Sequence, residues 1–322
     1  MAEAVVQPAG GMRVRFGFLL SLSLLGLLLL MWIALAVSTD SFFTANNFEN
    51  LLRQASLWAI IAVGQTFVII TGGIDLSVGA VVGLSSTIVA MLLKAGVPIW
   101  LSIGLTLMSG VAIGAFHAFG ILRLGLPPFI LTLATLTALR GIGLLMTNGA
   151  TISGFSTDFT GFSRLSFAVI PSLFWMVILV AVPSYILLHH SRWGRYIYAV
   201  GSNSEAARLS GINISRTIYL AYILSATLAA FAGILTASRI SIGVPTTGEG
   251  WELQSIASSV IGGTSLFGAV GSIPGPLLGA MLLTTINNGA NLLNVNPFWQ
   301  RIITGALIIV IVYFDQLRRR RR

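Results

Sequence analysis

The sequence predicts an all-α, polytopic membrane protein of about ten transmembrane helices with both termini in the cytoplasm. Of its 322 residues, 56% are hydrophobic and 8% are charged, whereas about 25% of the residues in a soluble domain are charged. Apolar segments follow one another along nearly the whole chain, and most are long enough to cross a hydrocarbon core of about 30 Å. Basic residues concentrate in alternate connections, as a defined membrane orientation requires. We therefore expect residues 1–322 to form a single transmembrane domain in a lipid bilayer.

Ten apolar segments account for the predicted spans. The first, Phe16–Val37, is longer than the apolar core of a signal peptide, about 7–15 residues, so we predict a membrane helix. A signal peptide is the competing interpretation, because Ala34-Leu35-Ala36 resembles a cleavage site. The remaining segments are Gln54–Thr71, Leu76–Leu93, Ile99–Leu122, Pro128–Thr147, Ala168–His189, Thr217–Ala237, Leu253–Phe267, Ile273–Leu292 and Trp299–Phe314. The eighth is short for a full crossing, so we expect it to be tilted, broken or re-entrant.

The charge distribution orients this map. With ten spans, both termini and the loop at residues 191–216 share one side, which holds twelve basic residues against five on the other. Basic residues favour the cytoplasmic side, so residues 1–15, 191–216 and the basic tail at 315–322 are predicted to be cytoplasmic. The tail ends in Arg318–Arg322, which we expect to bind anionic lipid headgroups. The net charge of +9 is thereby explained without nucleic acid.

The loop at residues 191–216 contains a stretch with the features of a short, capped helix. The stretch comprises Ser204, Glu205, Ala206, Ala207, Arg208 and Gly211. Its leading Ser and Asn residues can accept bonds from the first free N–H groups. Glu205 and Arg208 suit the helix dipole, and Gly211 can end the helix in the left-handed conformation. We expect this to be the only capped helix on the cytoplasmic side with two adjacent small residues. Its two adjacent alanines make a narrow face that fits a groove on another protein, although an ordinary loop with one helical turn is the alternative.

Two glycine-rich stretches interrupt the apolar segments and are predicted to be flexible breaks beside a translocation path. The first contains Gly72, Gly73 and Asp75, and the second contains Gly262 and Gly263. Such residues are costly in hydrocarbon unless the backbone lines a cavity or reaches water. The alternative for the first is a tight turn at the cytoplasmic surface in which Asp75 caps the next helix. The two stretches resemble each other, but their separation by six spans does not fit a five-plus-five inverted repeat.

Polar side chains within the apolar segments are candidates for the translocation path. Thr284, Asn287, Asn291 and Asn294 recur at helical spacing in the ninth segment, so they are predicted to share one face. An asparagine stripe can bond the hydroxyl groups of a sugar, and it can equally bond neighbouring helices. The same alternatives apply to Gln65, Thr132, Thr135 and Asn148.

Two further polar residues in the apolar segments have structural interpretations. Arg140 in the fifth segment is expected to bond helix carbonyls, because a central arginine costs about 2.5–3.5 kcal/mol on insertion scales. His117 lies among small residues and is expected to be a packing residue.

The residue types exclude several classes of chemistry. The chain has no cysteine, which excludes disulfides, thiol catalysis and thiolate metal sites. Its three histidines, two of them adjacent at 189 and 190, predict no metal site. The single lysine, Lys94, precedes Ala95, so the chain has no phosphate-binding loop of the Gly-Lys-Ser/Thr type. No set of catalytic residues indicates an enzyme, and no cofactor of its own is expected.

Ordered motifs along the chain resemble the permease subunits of ribose/xylose-type monosaccharide ABC importers. They are Gly72-Gly73-Ile74-Asp75-Leu76-Ser77, Arg140-Gly141, Thr147-Asn148-Gly149, Gly194-Arg195-Tyr196, Glu205 to Ile212, Gly250-Trp251-Glu252-Leu253, Gly262-Gly263-Thr264-Ser265-Leu266 and Asn287-Asn288-Gly289. They extend from about Phe43 to Asp315. The resemblance implies a bacterial inner-membrane permease that pairs with itself or a related permease. It also implies a periplasmic sugar-binding protein and an ATPase with two fused nucleotide-binding domains, which docks on the helix at 204–211.

The leading hypothesis is a permease subunit of an ATP-driven importer of a monosaccharide or related polyol, with ATP bound by the partner chain. The alternative is an ion-coupled secondary transporter, a class that usually buries carboxylates for its coupling ion. Asp75 is the single candidate carboxylate for that mechanism, and the topology places it near the cytoplasmic surface. A membrane-embedded enzyme is the third hypothesis, and no catalytic set supports it.

Overall fold

The computed structural model describes residues 10–167 and 170–320, which are almost entirely helical. The helices are α1 (Gly10–Ser38), α2 (Ala45–Ile70), α3 (Val78–Lys94), α4 (Ile99–Arg123), α5 (Pro128–Thr147), α6 (Thr157–Phe162), α7 (Ser172–Tyr185), α8 (Arg192–Ser202), α9 (Ser204–Leu209), α10 (Ile214–Ile240), α11 (Trp251–Ile261), α12 (Pro274–Leu292) and α13 (Pro297–Arg320). A π-helical turn, Ile186–His190, continues α7. Residues 1–9 of the predicted cytoplasmic N-terminus, and Arg321 and Arg322 of the basic tail, lie outside the described residues.

Two short antiparallel ladders join the connections between helices. Strand β1 (Ile152–Ser153) pairs with β4 (Ile242–Gly243), and β2 (Ser166–Phe167) pairs with β3 (Ile170–Pro171). Because β3 of the second ladder ends at Pro171, the helix of the sixth predicted segment, α7, begins at residue 172 rather than at 168.

Five of the described helices are long and apolar enough to cross a membrane. They are Ala45–Ile70, Ile99–Arg123, Pro128–Thr147, Ser172–His190 and Ile214–Ile240. They match the second, fourth, fifth, sixth and seventh predicted segments, in agreement with an all-α membrane protein. The count of ten spans and the orientation of the termini stay predictions.

Helices α2 and α10 form the centre of the bundle. In the most apolar part of α2, 89% of the residues are buried, against 22% for α4 and 17% for α5. Small residues allow α10 to pack closely against α2 and α4. If Gly64 of α2 carried a Cβ atom, that atom would lie only 3.0 Å from the Cα of Ser225 in α10. Similarly, Gly110 of α4 faces Ala226 and Ala230 of α10. The exposed side chains of α4 and α5 are largely apolar, as expected at a lipid boundary.

Helices α3 and α11 are too short to cross a membrane fully. With a rise of 1.5 Å per residue, the 17 residues of α3 extend about 25 Å and the 11 residues of α11 about 17 Å. Helix α11 ends before Gly262, six residues short of the predicted end of the eighth segment. Among the outcomes expected for this segment, the structure therefore has a broken helix.

The connection from α10 to α11 explains how α11 begins inside the bundle. Residues 241–250 run antiparallel to α3, with Gly243 against Ala90 and the carbonyl of Pro245 against Gly83. Gly248 then faces Gly79 in the first turn of α3. The loop thus re-enters the bundle, and α11 starts beside the start of α3.

The bundle has two distinct ends. We call the end at which α2 terminates, and at which α9 lies, the α9 end. The end at which α2 begins and α12 terminates is the opposite end.

Candidate functional site

The first break, residues 71–77, lies within the bundle. Helix α2 ends at Ile70, Gly72 adopts φ 84°, and the chain then turns back along α2. The Asp75 side chain is fully buried. Asp75 therefore does not lie on the surface of the bundle, and its position near the cytoplasmic face of the membrane stays a prediction.

Side chains from three helices hold Asp75 in place. Its Oδ1 accepts bonds from Ser77 N at 2.9 Å and Ser77 Oγ at 2.6 Å, at the start of α3. Its Oδ2 accepts a bond from Ser225 Oγ of α10 at 2.9 Å. The Gln65 amide, in the orientation that satisfies both of its groups, donates to Asp75 O at 3.0 Å and accepts from Asp75 N at 3.2 Å. A fully bonded carboxylate of this kind stabilises one backbone conformation of the break.

Two threonines of α5 extend this polar cluster. Thr132 Oγ1 donates to Ile74 O at 3.1 Å, and Thr135 Oγ1 lies 2.8 Å from His117 Nε2. Of the predicted path residues, Gln65 and Thr132 therefore form hydrogen bonds with the backbone of the first break. Thr135 contacts His117 and does not touch the break. His117 is fully buried in packing, as its surrounding small residues indicate.

The second break, residues 262–273, is closely packed against the first. Ala269 N donates to Ile70 O, the end of α2, at 2.9 Å. A Cβ at Gly268 would lie 3.3 Å from Gly72 Cα. At its start, Gly262 crosses Gly275 of α12 so closely that a Cβ would overlap the backbone. The two breaks, separated by six predicted spans, therefore meet at the α9 end.

The α8–α9 segment contacts both breaks directly. Gly201 near the end of α8 lies against Ile70 O, where a Cβ would overlap the carbonyl. Tyr198 OH donates to Gly271 O of the second break at 2.7 Å. Burial raises the pKa of Tyr198 to about 12, so the hydroxyl remains a donor at neutral pH. Close contacts therefore connect α8 to the end of α2 and to the second break.

Helix α9 has the predicted cap, but the residues that it exposes differ from those predicted. Asn203 Oδ1 accepts from Ala206 N at 2.9 Å, and Gly211 adopts φ 80°. The adjacent alanines do not form one face: Ala206 is exposed, but Ala207 is only 4% exposed and packs in the core of its own chain. Leu209, which no sequence pattern singled out, is 76% exposed.

The exposed surface of α9 is charged as well as apolar. Arg208 Nε donates to Glu205 Oε2 at 3.0 Å, and this hydrogen bond lowers the pKa of Glu205. The α9 surface therefore comprises Ser204, Glu205, Ala206, Arg208 and Leu209. Helix α8 at this end is also capped, because Ser191 Oγ accepts from Trp193 N.

Arg140 stabilises the re-entrant loop. Its Nη1 donates to Thr247 O at 3.1 Å and to Pro245 O at 3.4 Å. The expected partners were helix carbonyls, but the observed ones belong to the turns that follow β4 in the re-entrant loop. Within the apolar region, these carbonyls need such a donor.

A polar cavity of about 330 Å³ opens at the opposite end. It is lined by Asn50, Leu51, Gln54, Trp58, Arg239, Thr284, Asn287, Asn288, Asn291 and Gln300. Asn50 and Asn291 at its rim are exposed, whereas Leu51, Trp58 and Thr284 are buried. Three of the predicted path residues, Thr284, Asn287 and Asn291, thus share one cavity.

The other predicted polar residues lie elsewhere. Asn148 and Asn294 are exposed, with φ of 50° and 54°, and follow the ends of α5 and α12. Neither lines the cavity. Both occupy left-handed positions that asparagine tolerates well, which accounts for their presence. Within the described residues, no group of three or more His, Asp or Glu side chains is placed to hold a metal ion.

Comparison with known proteins finds relatives along nearly the whole chain. The family profile described as "Branched-chain amino acid transport system / permease component" matches residues 47–312. The ribose import permease protein RbsC of Escherichia coli (strain K12) is 40% identical, over 91% of this chain and 92% of the relative. From the same organism, the D-allose transport system permease protein AlsC is 39% identical over 88% and 87%. Its xylose transport system permease protein XylH is 34% identical over 88% of each chain. No solved structure matches the chain.

Proposed function

Because the chain belongs to the branched-chain amino acid transport system / permease component family, among the ribose/xylose-type sugar ABC permeases, we propose that it carries a monosaccharide or related polyol inwards at the expense of ATP hydrolysed by a partner. In this proposal it is a transmembrane subunit and not an enzyme. An ATPase with two nucleotide-binding domains docks on the α9 surface, and a periplasmic sugar-binding protein docks at the opposite end. Two permease subunits, identical or related, complete the assembly in the bacterial inner membrane.

The contacts between the α8–α9 segment and both breaks carry this proposal. A displacement of α8 acts directly on the end of α2 through Gly201 and on the second break through Tyr198. Because packed interiors transmit strain instead of absorbing it, ATPase closure on α9 moves the two breaks together. The break backbones at Gly72 and Gly263, with φ of 84° and 92°, are the positions that bend.

The geometry of Asp75 favours this function over ion-coupled transport. Both of its carboxylate oxygens accept hydrogen bonds within the bundle, from Ser77 and Ser225. An ion-coupling carboxylate must exchange its ion with water on both sides during the cycle. Asp75 instead has the environment of a structural residue that sets the shape of the first break.

The test is uptake into vesicles that contain the permease, its ATPase and the sugar-binding protein. We expect uptake of a neutral sugar to require internal ATP and to persist when proton and sodium gradients are collapsed. Uptake that follows a gradient without ATP would show that the chain is a secondary transporter. Asp75→Asn, which keeps the side-chain volume, is expected to leave the ATP requirement unchanged.

A further inference from the structure

We propose that the cavity at the opposite end is a transient binding site for one neutral monosaccharide, occupied after the sugar leaves the binding protein. This inference rests on the proposed function and adds the site within the permease. Six of the ten lining residues carry a carboxamide. They are Asn50, Gln54, Asn287, Asn288, Asn291 and Gln300. The volume of about 330 Å³ lies at the lower end of the range for small-molecule sites.

The carboxamides match the chemistry of sugar hydroxyl groups. Each hydroxyl is both a donor and an acceptor, and each amide offers both functions from one side chain. Asn287 Nδ2 already donates to Leu283 O at 2.9 Å, which turns the Asn287 Oδ1 acceptor away from its own helix backbone. Gln300 Nε2 donates to Asn291 Oδ1 at 2.8 Å and connects α13 to the rim. Four helices thus bring polar groups to one space, since α2, α10, α12 and α13 all contribute.

Trp58 is the one aromatic residue among the described residues of the cavity lining. The side chain is buried, and its Nε1–H is closed off from the cavity space, so the part of Trp58 that a ligand can meet is the indole ring. This ring presents an apolar surface, against which the C–H groups of a sugar ring can pack. Trp251 packs edge-on against this ring at 6.4 Å and holds it in place.

The charges of the lining disfavour a cation, because none of the described lining residues is acidic. The single charged side chain of this described lining is Arg239, whose Nη1 donates to Gln54 Oε1 at 2.6 Å, so this guanidinium is bonded within the cavity wall. The six carboxamides present donors and acceptors together, which suits neutral hydroxyl groups.

The reciprocal bond between Asn47 and Asn288 lies next to this site. Asn288 Nδ2 donates to Asn47 Oδ1 at 2.7 Å, and Asn47 Nδ2 donates to Asn288 Oδ1 at 3.2 Å. This amide pair connects the first turn of α2 to α12, so it sets the spacing of the two helices that supply most of the lining.

The test uses the permease–ATPase complex in nanodiscs without binding protein. Saturation-transfer NMR with D-ribose, D-allose and D-xylose in the millimolar range is expected to detect binding of at least one. The variants Asn287→Leu and Trp58→Ala are expected to lose this signal. In vesicles at saturating loaded binding protein, each should lower the uptake rate about tenfold, as expected for one or two lost hydrogen bonds at Asn287 or the lost ring contact at Trp58. The concentration of binding protein at half-maximal rate should not change.

Matched controls separate this site from folding and from the proposed function. Asn46→Leu changes an exposed amide on α2 that does not line the cavity, and it is expected to leave binding and uptake unchanged. Normal uptake by both cavity variants, or binding of D-gluconate but of no neutral sugar, would overturn the cavity assignment alone. A wild-type complex that imports no neutral sugar with ATP would instead overturn the proposed function.

Discussion

Ala207 and Leu209 lie two positions apart on α9 and have opposite environments, because an α-helix turns by about 100° per residue. Ala207 is 4% exposed and packs inwards, and Leu209 is 76% exposed. An exposed leucine beside the Glu205–Arg208 ion pair is typical of an interface with an apolar centre and a polar rim. In the proposed assembly, the residue that meets the ATPase is therefore Leu209, with Ala206 as the small residue on the same surface.

We predict that Leu209→Asp weakens association with the ATPase by about tenfold or more. Burying a leucine side chain contributes about 1.5–3 kcal/mol, and the aspartate would also bring an unpaired charge into the contact. Binding of purified ATPase to the permease in nanodiscs measures the effect. Leu293→Asp, an exposed leucine at the opposite end, is the control and should bind normally. Equal binding by both variants would exclude α9 as the docking helix.

A bulky residue at position 207 would disturb the packing of the permease itself, so it does not test docking of the ATPase. Ala207→Trp overfills the core beneath α9, which typically costs about 1–3 kcal/mol, so a loss of uptake in this variant would not separate the two causes.

At the scale of elements, α3 and α11 form a pair of short helices that begin side by side inside the bundle. Their starts are brought together by the re-entrant residues 241–250, which pack on the glycines of α3. Non-helical backbone inside a bundle needs partners for its carbonyl groups. Arg140 supplies two of these bonds, which explains a charged residue in the middle of an otherwise apolar helix.

We predict that Arg140→Met lowers the thermal stability of the purified permease. The substitution leaves two buried carbonyl groups without their donor, at a cost of about 1–3 kcal/mol each. Loss of the folded monodisperse species on heating is the measurement. Arg140→Lys should restore part of the stability, because it retains one charged donor. Arg301→Met, at an exposed position on α13, is the control. A normal melting temperature for Arg140→Met would show that the loop does not depend on this bond.

At the scale of the whole molecule, the functional features lie at two ends. The two breaks and helices α8 and α9 lie at the α9 end, and the cavity lies at the opposite end. The proposed sugar site opens at one end, and the contacts proposed to receive the ATPase lie at the other. Helix α2 connects them, because it contributes Trp58 to the cavity floor and Ile70 to the contact with α8. Its burial over most of the stretch from Leu51 to Ile70 suits a helix that transmits motion.

We predict that these two ends face opposite sides of the membrane. The chain has no cysteine, so single cysteines can be introduced without background labelling. Ala206→Cys and Arg322→Cys should react with an impermeant maleimide only from the cytoplasmic side. Asn46→Cys should react only from the periplasmic side. Reaction of the cysteines at 206 and 46 from the same side would refute the ten-span topology.

The sequence by itself determined the class of the molecule, because composition and apolar length directly limit what can be stable in a bilayer. It also determined the capped helix α9 and its left-handed Gly211, since capping depends on neighbouring residues alone. The spacing of Thr284, Asn287 and Asn291 likewise predicted a shared face, because helical periodicity is local.

Only the tertiary structure decided which partners these residues meet. The inward turn of Asp75, the burial of Ala207 and the contact of the two breaks all depend on groups that are distant in the sequence. The same holds for the bonds of Arg140 to residues 245 and 247. Gln65 and Thr132 have the polarity of path residues, yet the fold uses them to bond the first break. Local patterns specify which groups need partners, and only close packing of distant helices determines which partners they find.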